Sequence, residues 1–218
     1  MIKENIAKIN AQLTEKVTLV AVSKTKPAAQ IEEAYQAGQR HFGENKVQEL
    51  VEKHQKLPND ISWHMIGHLQ RNKVKYIAPF IALIHSVDSL RLLKEINKQG
   101  QKNNRTINCL LQFHIAVETT KFGFSKDEIL PIINSEEFRS LNHINVVGIM
   151  GMASNTSDET VLANEFESLK SIFDDLKLIL SNNSNFNCLS MGMSGDYKLA
   201  IKKGSTMVRI GSTIFGKR

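Results

Sequence analysis

Short apolar runs recur along the chain, and the stretches between them carry apolar residues at three- and four-residue spacing. The runs fall at residues 18–23, 40–43, 62–67, 81–86, 107–115, 146–151, 188–192 and 207–210. Each is short enough to be a buried strand, and the intervening period is that of a helix with one buried face. Pro27 sits at a first helical turn, with Ile31, Ala34 and Tyr35 on one face and Gly38 as the stop. Ser125 and Glu128 have capping-box spacing ahead of Ile129, Ile132 and Ile133. Thr156 and Glu159 repeat that spacing ahead of Leu162, Phe166, Leu169, Phe173 and Leu176. The second run carries the least strand signal, being short and holding Arg40 and His41.

Strand and helix units that alternate eight times predict a (β/α)8 TIM barrel. At 218 residues the chain is near the lower limit for that fold, so residues 1–218 are read as a single domain. The last unit ends at Arg218, which leaves no room for an external helix after strand 8. An amphipathic N-terminal segment (Ile2, Ile6, Ile9, Leu13) is expected to form an extra helix in that place. The alternative, an open doubly wound sheet, fits less well because no Gly-rich nucleotide turn follows strand 1.

Composition narrows the setting. Hydrophobic residues make up 41% of the chain, enough for a full core, and Pro and Gly are too sparse for a linker. The N-terminus lacks the apolar core of a signal peptide and no stretch is long enough to span a bilayer, so the chain reads as cytoplasmic with no membrane partner. Cys109 and Cys188 lie far apart and read as reduced core thiols. The 28 basic and 22 acidic residues give a net charge of +6, favourable for anionic ligands. Basic and acidic residues are interspersed, and the densest basic stretch, Arg71-Asn72-Lys73-Val74-Lys75, has only Tyr76 beside it. No nucleic-acid partner is therefore read.

In a barrel the C-terminal ends of the strands form the active face. The polar residues expected there are Lys24, Glu44, Asn45, His64, His68, His85, Ser86, His114, Met193-Ser194 and Arg209-Ile210-Gly211-Ser212, with no comparable set at the other end. Lys24 closes the run Leu19-Val20-Ala21-Val22-Ser23, where desolvation is expected to free its amine as a nucleophile. The loops after strands 7 and 8, Gly192-Met193-Ser194-Gly195-Asp196 and Gly211-Ser212-Thr213, have the glycines and hydroxyls of a phosphate site. An amine facing a phosphate cradle points to a phosphorylated aldehyde held as a Schiff base. Lys26 is the reserve amine or an electrostatic neighbour. Arg209 shares the parity of Met207 and needs an acceptor if buried, either a ring nitrogen or a structural ion-pair partner. The His64-x-x-x-His68 spacing runs through a strand and Gly67 without a carboxylate or cysteine cluster, so no metal is read.

Five segments resemble the pyridoxal-phosphate homeostasis proteins, single-barrel relatives of the alanine racemase N-terminal domain. They are Ala21-Val22-Ser23-Lys24-Thr25-Lys26-Pro27, Phe42-Gly43-Glu44-Asn45, Trp63-His64-Met65-Ile66-Gly67-His68-Leu69-Gln70-Arg71-Asn72-Lys73, Ser190-Met191-Gly192-Met193-Ser194-Gly195-Asp196 and Met207-Val208-Arg209-Ile210-Gly211-Ser212-Thr213-Ile214-Phe215-Gly216. The resemblance spans essentially the whole chain. It implies the type III fold of pyridoxal-phosphate proteins, with Lys24 forming a Schiff base with pyridoxal 5′-phosphate. It further implies that Ser194, Gly211 and Ser212 hold the phosphate and that Arg209 faces the pyridine nitrogen, with Asn45, His64 and Met193 close to the cofactor. His114 departs from the pattern, standing where the family usually has asparagine.

An arginine opposite the ring nitrogen keeps it unprotonated and weakens the cofactor as an electron sink. A racemase of this barrel type also brings a tyrosine from a second domain, whereas Tyr35, Tyr76 and Tyr197 fall in predicted helices or loops. The expected function is therefore a non-enzymatic monomer that binds pyridoxal phosphate, serves vitamin B6 homeostasis and supplies apo forms of pyridoxal-phosphate enzymes. The competing readings are a small amino-acid racemase and a class I aldolase-type enzyme, the latter disfavoured because its lysine usually sits on a middle strand.

Overall fold

The computed structural model describes residues 1–116 and 122–216; Arg218, at which the last predicted unit ends, lies outside them. An N-terminal helix, α1 (Ile2–Asn10), precedes β1 (Thr18–Val22), α2 (Ala28–Gln36), β2 (His41–Glu44) and α3 (Val47–Lys56). Next come β3 (Ser62–Met65), α4 (Val74–Ile77), β4 (Leu83–Val87), α5 (Leu90–Lys102) and β5 (Ile107–Phe113). Two helices, α6 (Lys126–Asn134) and α7 (Glu136–Arg139), lead to β6 (Ile144–Gly151) and the long α8 (Glu159–Ile179). The chain then runs through β7 (Cys188–Ser190), α9 (Tyr197–Lys202), β8 (Met207–Ile210) and α10 (Ser212–Phe215).

All eight strands are parallel, and β8 pairs with β1 to close a barrel in strand order 1 to 8. The strand period of two sorts each strand into a lumen face and a helix face. Val20, Leu83, Leu110, Met150, Cys188 and Met207 fill the lumen, while Leu19, Ala21, Phe42, Trp63, Ile84 and Leu111 pack under the helices. Each such large side chain, once buried, contributes about 1.5–3 kcal/mol. Both thiols are free and buried, and burial pushes that of Cys188 up to about 12. No helix among the described residues is long and apolar enough to cross a membrane.

The predicted (β/α)8 architecture is the one observed. The second run is a strand, pairing with both β1 and β3. Pro27 is the N-cap of α2 rather than a residue of its first turn, and Gly38 follows the helix at φ +94°. The Ser125–Glu128 capping box is formed. The Thr156–Glu159 box is not: Asp158 caps α8 by accepting from the Thr160 and Val161 amides, and Thr156 instead accepts from the Asp158 amide. A carboxylate one residue before the helix reaches the first-turn amides better than a hydroxyl two residues further back. Helix α1 buries Ile2, Ile6 and Ile9 and packs on α2 and α10, with Asn5 Nδ2 donating to Ile214 O at 3.0 Å. It therefore flanks the seam between β1 and β8.

Candidate functional site

A cavity of about 570 Å³ opens at the C-terminal ends of the strands. Lys24, Asn45, Met193, Ser194, Arg209, Gly211 and Ser212 all line it, although they come from both ends of the chain. Lys26 and His68 join them, as do Gln112 from β5 and Phe122.

Lys24 lies just past β1 on a short loop that is held from beneath. Ser23 Oγ donates to Glu44 Oε1 at 2.5 Å. Lys53 Nζ, from α3, donates to Ser23 O (2.8 Å), Glu44 Oε1 (2.7 Å) and Glu49 Oε1 (2.7 Å). Glu49 Oε1 in turn accepts from the Thr25 amide at 2.6 Å. Thr25 sits at φ +65°, a left-handed conformation that costs a β-branched residue about 1–3 kcal/mol. The loop is thus bent against its intrinsic preference and clamped on both sides of Lys24. Glu44 is fully buried, and burial raises its pKa, countered by the hydrogen bonds from Lys53 and Ser23. Lys26 lines the rim, but its Nζ donates to Phe215 O (3.1 Å) and Gly216 O (3.3 Å).

Beside this loop, across the β1–β8 seam, Ser194 Oγ accepts from the Gly211 amide at 3.2 Å and ties the loop after β7 to the end of β8. Asp196 shapes the first of these turns by accepting from the Met193 amide at 2.5 Å. Arg209 points into the lumen. Its Nη1 donates to Ser190 O (2.9 Å) and Ser190 Oγ (2.6 Å), and its Nη2 donates to Gly151 O (3.0 Å). Its hydrogen bonds go to neutral acceptors, while the Asp196 carboxylate favours its charged form from further away. Burial lowers its pKa to about 10, which leaves it charged at neutral pH. A buried cation whose hydrogen bonds go to neutral acceptors suits an electron-rich ligand atom.

Asn45 turns its side chain to the cavity, and its Oδ1 is buried without a partner. The close approach of the segment after β3 to it depends on Gly67, where a Cβ would lie 2.6 Å from Asn45 O. At the mouth, His68 stacks on Phe122 with ring centroids 4.2 Å apart and meets Asp88 Oδ2 at 3.1 Å.

His64 is corrected. It lies in the lumen, 2% exposed, with its two ring nitrogens against His41 and His85 rather than in the cavity. His85 and His114 are likewise absent from the cavity wall, and Ser86 Oγ donates to Gly67 O at 2.5 Å. The N-terminal end of the barrel is also less bare than its sequence indicates, because His41, the first residue of β2, faces inward.

The fold is shared with known proteins. The alanine racemase N-terminal domain family matches residues 1–218. A pyridoxal phosphate homeostasis protein of Haemophilus influenzae is 40% identical over 205 residues, 93% of this chain and 85% of that protein. Its counterpart from Vibrio alginolyticus is 37% identical, covering 100% of this chain and 97% of that one. The chain belongs to the pyridoxal phosphate homeostasis protein family. Within it, PipY of Synechococcus elongatus, solved with pyridoxal phosphate bound, superposes with a TM-score of 0.88 at 34% identity over 99% of this chain and 100% of that one. The alanine racemase of Bartonella henselae shares the fold at a TM-score of 0.74 and 18% identity, and the chain spans 60% of its length.

What this homeostasis-family site contains beyond its strand-end residues is the support under Lys24. Glu49 and Lys53 lie in a stretch of mixed charge that reads as a solvated helix face. The signal was their i, i+4 spacing just after Glu44-Asn45, which brings an ammonium under the end of β2. Gln112 is placed by strand parity, and its Nε2 donates to Phe122 O at 2.7 Å, anchoring the aromatic residue of the mouth.

Proposed function

We propose that the chain binds pyridoxal 5′-phosphate in this cavity and holds it without turnover, as part of the homeostasis of that cofactor. One arrangement supports the reading: the clamped lysine loop and two neighbouring serine loops border one cavity, which a buried arginine hydrogen-bonded to neutral groups also lines. The residues fit the group. Asn45 Oδ1 has no hydrogen-bond partner among the described residues, and Arg209 keeps N–H groups beyond those given to Ser190 and Gly151, so each suits a polar atom of the cofactor ring. When bound, the cofactor supplies an aldehyde that an amine can hold covalently and a ring that can act as an electron sink.

Lys24 is the amine proposed to take that aldehyde. Ser194 and Ser212, with the amides of the loops after β7 and β8, are proposed to bind the phosphate. Arg209 has further N–H groups to donate toward the ring nitrogen, and a guanidinium does not surrender its proton there, which favours holding over catalysis. No tyrosine lines the cavity among the described residues. Phe122 and Met193, 56% and 38% exposed, leave the rim open to solvent, which suits delivery to the apo form of another enzyme.

The protein is expected to purify yellow, and borohydride is expected to attach the cofactor to the peptide containing Lys24. A protein that takes up no added cofactor overturns the proposal. Incubation with alanine or serine is expected to give no racemisation or transamination; inversion of alanine at on the order of 1 per second or faster would make the protein a racemase.

The phosphate assignment has its own test. In Ser194→Ala/Ser212→Ala, each lost hydrogen bond to a charged group is worth about 1.5–3 kcal/mol, partly offset by water and by the remaining amides. Equilibrium dialysis is expected to show weaker retention with an unchanged far-UV spectrum. Unchanged affinity would place the phosphate elsewhere.

A further inference from the structure

Below the cavity, three histidines form a line through the barrel. His41 Nδ1 lies 3.0 Å from His64 Nε2, and His64 Nδ1 lies 2.9 Å from His85 Nε2. The line then crosses the lumen from β4 to β7, where His85 Nδ1 lies 3.2 Å from Ser190 Oγ. Ser190 Oγ is the same atom that meets Arg209 Nη1 at 2.6 Å. His64, His85 and Ser190 are all essentially sealed from solvent.

Donor and acceptor counting gives this line a direction. A guanidinium only donates, so Ser190 Oγ accepts from Arg209. The single hydroxyl proton of Ser190 then needs an acceptor, and His85 Nδ1 is the one within reach among the described residues. A neutral imidazole that accepts at Nδ1 carries its proton on Nε2. His85 Nε2 therefore donates to His64 Nδ1, and His64 Nε2 donates to His41 Nδ1. The reverse polarity would bring two donors to Ser190 Oγ and strand its hydroxyl proton in a buried site. Burial favours the neutral form of both inner rings, lowering His64 to about 3, with the neighbouring His41 adding to the effect.

We propose that His41, His64, His85 and Ser190 are positioning residues for Arg209, forming a one-way hydrogen-bond chain that fixes which guanidinium edge faces the cavity. The ring-nitrogen role of that edge rests on the function proposed above; the chain and its tautomers do not. It gives a use to His64, which lies in the longest family-like segment yet does not reach the cavity wall.

Two measurements test the proposal. In the cofactor-free protein, NMR of the histidine ring nitrogens is expected to find all three rings neutral and protonated at Nε2 across the neutral pH range. Ser190→Ala, a small deletion that the fold should tolerate, is expected to shift the ring resonances of His85, His64 and His41 together. An Nδ1-protonated ring in the wild type, or a change confined to His85, overturns the chain. With pyridoxal phosphate loaded, Ser190→Ala and His85→Leu are each expected to move the pH profile of the cofactor absorption band in the same direction. Retention is expected to weaken several-fold in each, and the double variant to be no worse than the single ones, since links in series fail together. Additive losses, or an unmoved band in variants that still bind, overturn the positioning role. A wild-type protein that takes up no cofactor overturns the proposed function and the ring-nitrogen role together, while the NMR result stands apart from both.

Discussion

Lys24→Ala is expected to abolish borohydride-stable attachment of pyridoxal phosphate while leaving weaker, reversible binding. The remaining contacts do not pass through the amine: Ser194 is set by its bond to the Gly211 amide, and Arg209 by Ser190 and Gly151. Loss of the covalent link should lower affinity by roughly ten- to a thousandfold, about 1.4–4 kcal/mol. Lys26 is the natural substitute, but its amine is engaged by the carbonyls of Phe215 and Gly216. Equilibrium dialysis and mass spectrometry of the reduced protein check both halves. Undiminished trapping in the variant would move the covalent role to Lys26, and complete loss of binding would mean that the cradle contributes little on its own.

The largest effect on stability is expected from Lys53→Met. Removing the ammonium leaves the buried Glu44 carboxylate without its cation and frees Ser23 O and Glu49 at once. Breaking a buried pair from one side costs about 3–5 kcal/mol, and for a chain of this size that is a fall in Tm of roughly 6–20 °C. The loss should depend on pH. The folded-state pKa of Glu44 is already raised by burial, with Lys53 and Ser23 holding it down. A raised carboxylate stabilises the fold below its unfolded pKa, and that contribution is lost as pH rises through the folded value. Without Lys53 the folded value climbs further, so the deficit of the variant should be smaller at mildly acidic than at neutral pH. Glu44→Leu in the same background should recover part of the loss by removing the stranded charge. Denaturant melts at the two pH values check this; equal deficits at both would show that Glu44 is not the group left exposed to the change.

The strands were legible because a barrel strand buries both faces, and eight short apolar runs with helical spacers leave few other architectures. The strand-end residues were legible for a related reason: Lys24, Asn45, Ser194, Arg209 and Ser212 each interrupt or follow an apolar run, and parallel strands bring all such ends together. His64 misled because its position on β3 gives inward direction but not depth. One residue pair further along, Ile66 reaches the cavity, whereas His64 sits a layer lower. Glu49 and Lys53 were hidden because burial of a helix charge depends on what the neighbouring strand offers. Only with Glu44 and the Ser23 carbonyl above it does Lys53 become 7% exposed. The cap of α8 was misplaced for a local reason, as Thr156 and Asp158, two residues apart, are both capping residue types and geometry favoured the carboxylate.

The seam between β1 and β8 determines when the cavity can exist. Side chains clip it together across nearly the whole chain: Asn5 to Ile214, Gln12 to Tyr197 and Lys26 to Phe215. The lysine loop comes from the first strand and the two serine loops from the last two, separated by about as much sequence as the chain contains. Contacts of such separation form late, because the closure entropy of the intervening chain must be met first. A nascent or partly opened barrel therefore lacks the assembled cavity. On the proposed function, binding would report complete closure, and opening of that seam would separate Lys24 from the loops of Ser194 and Ser212.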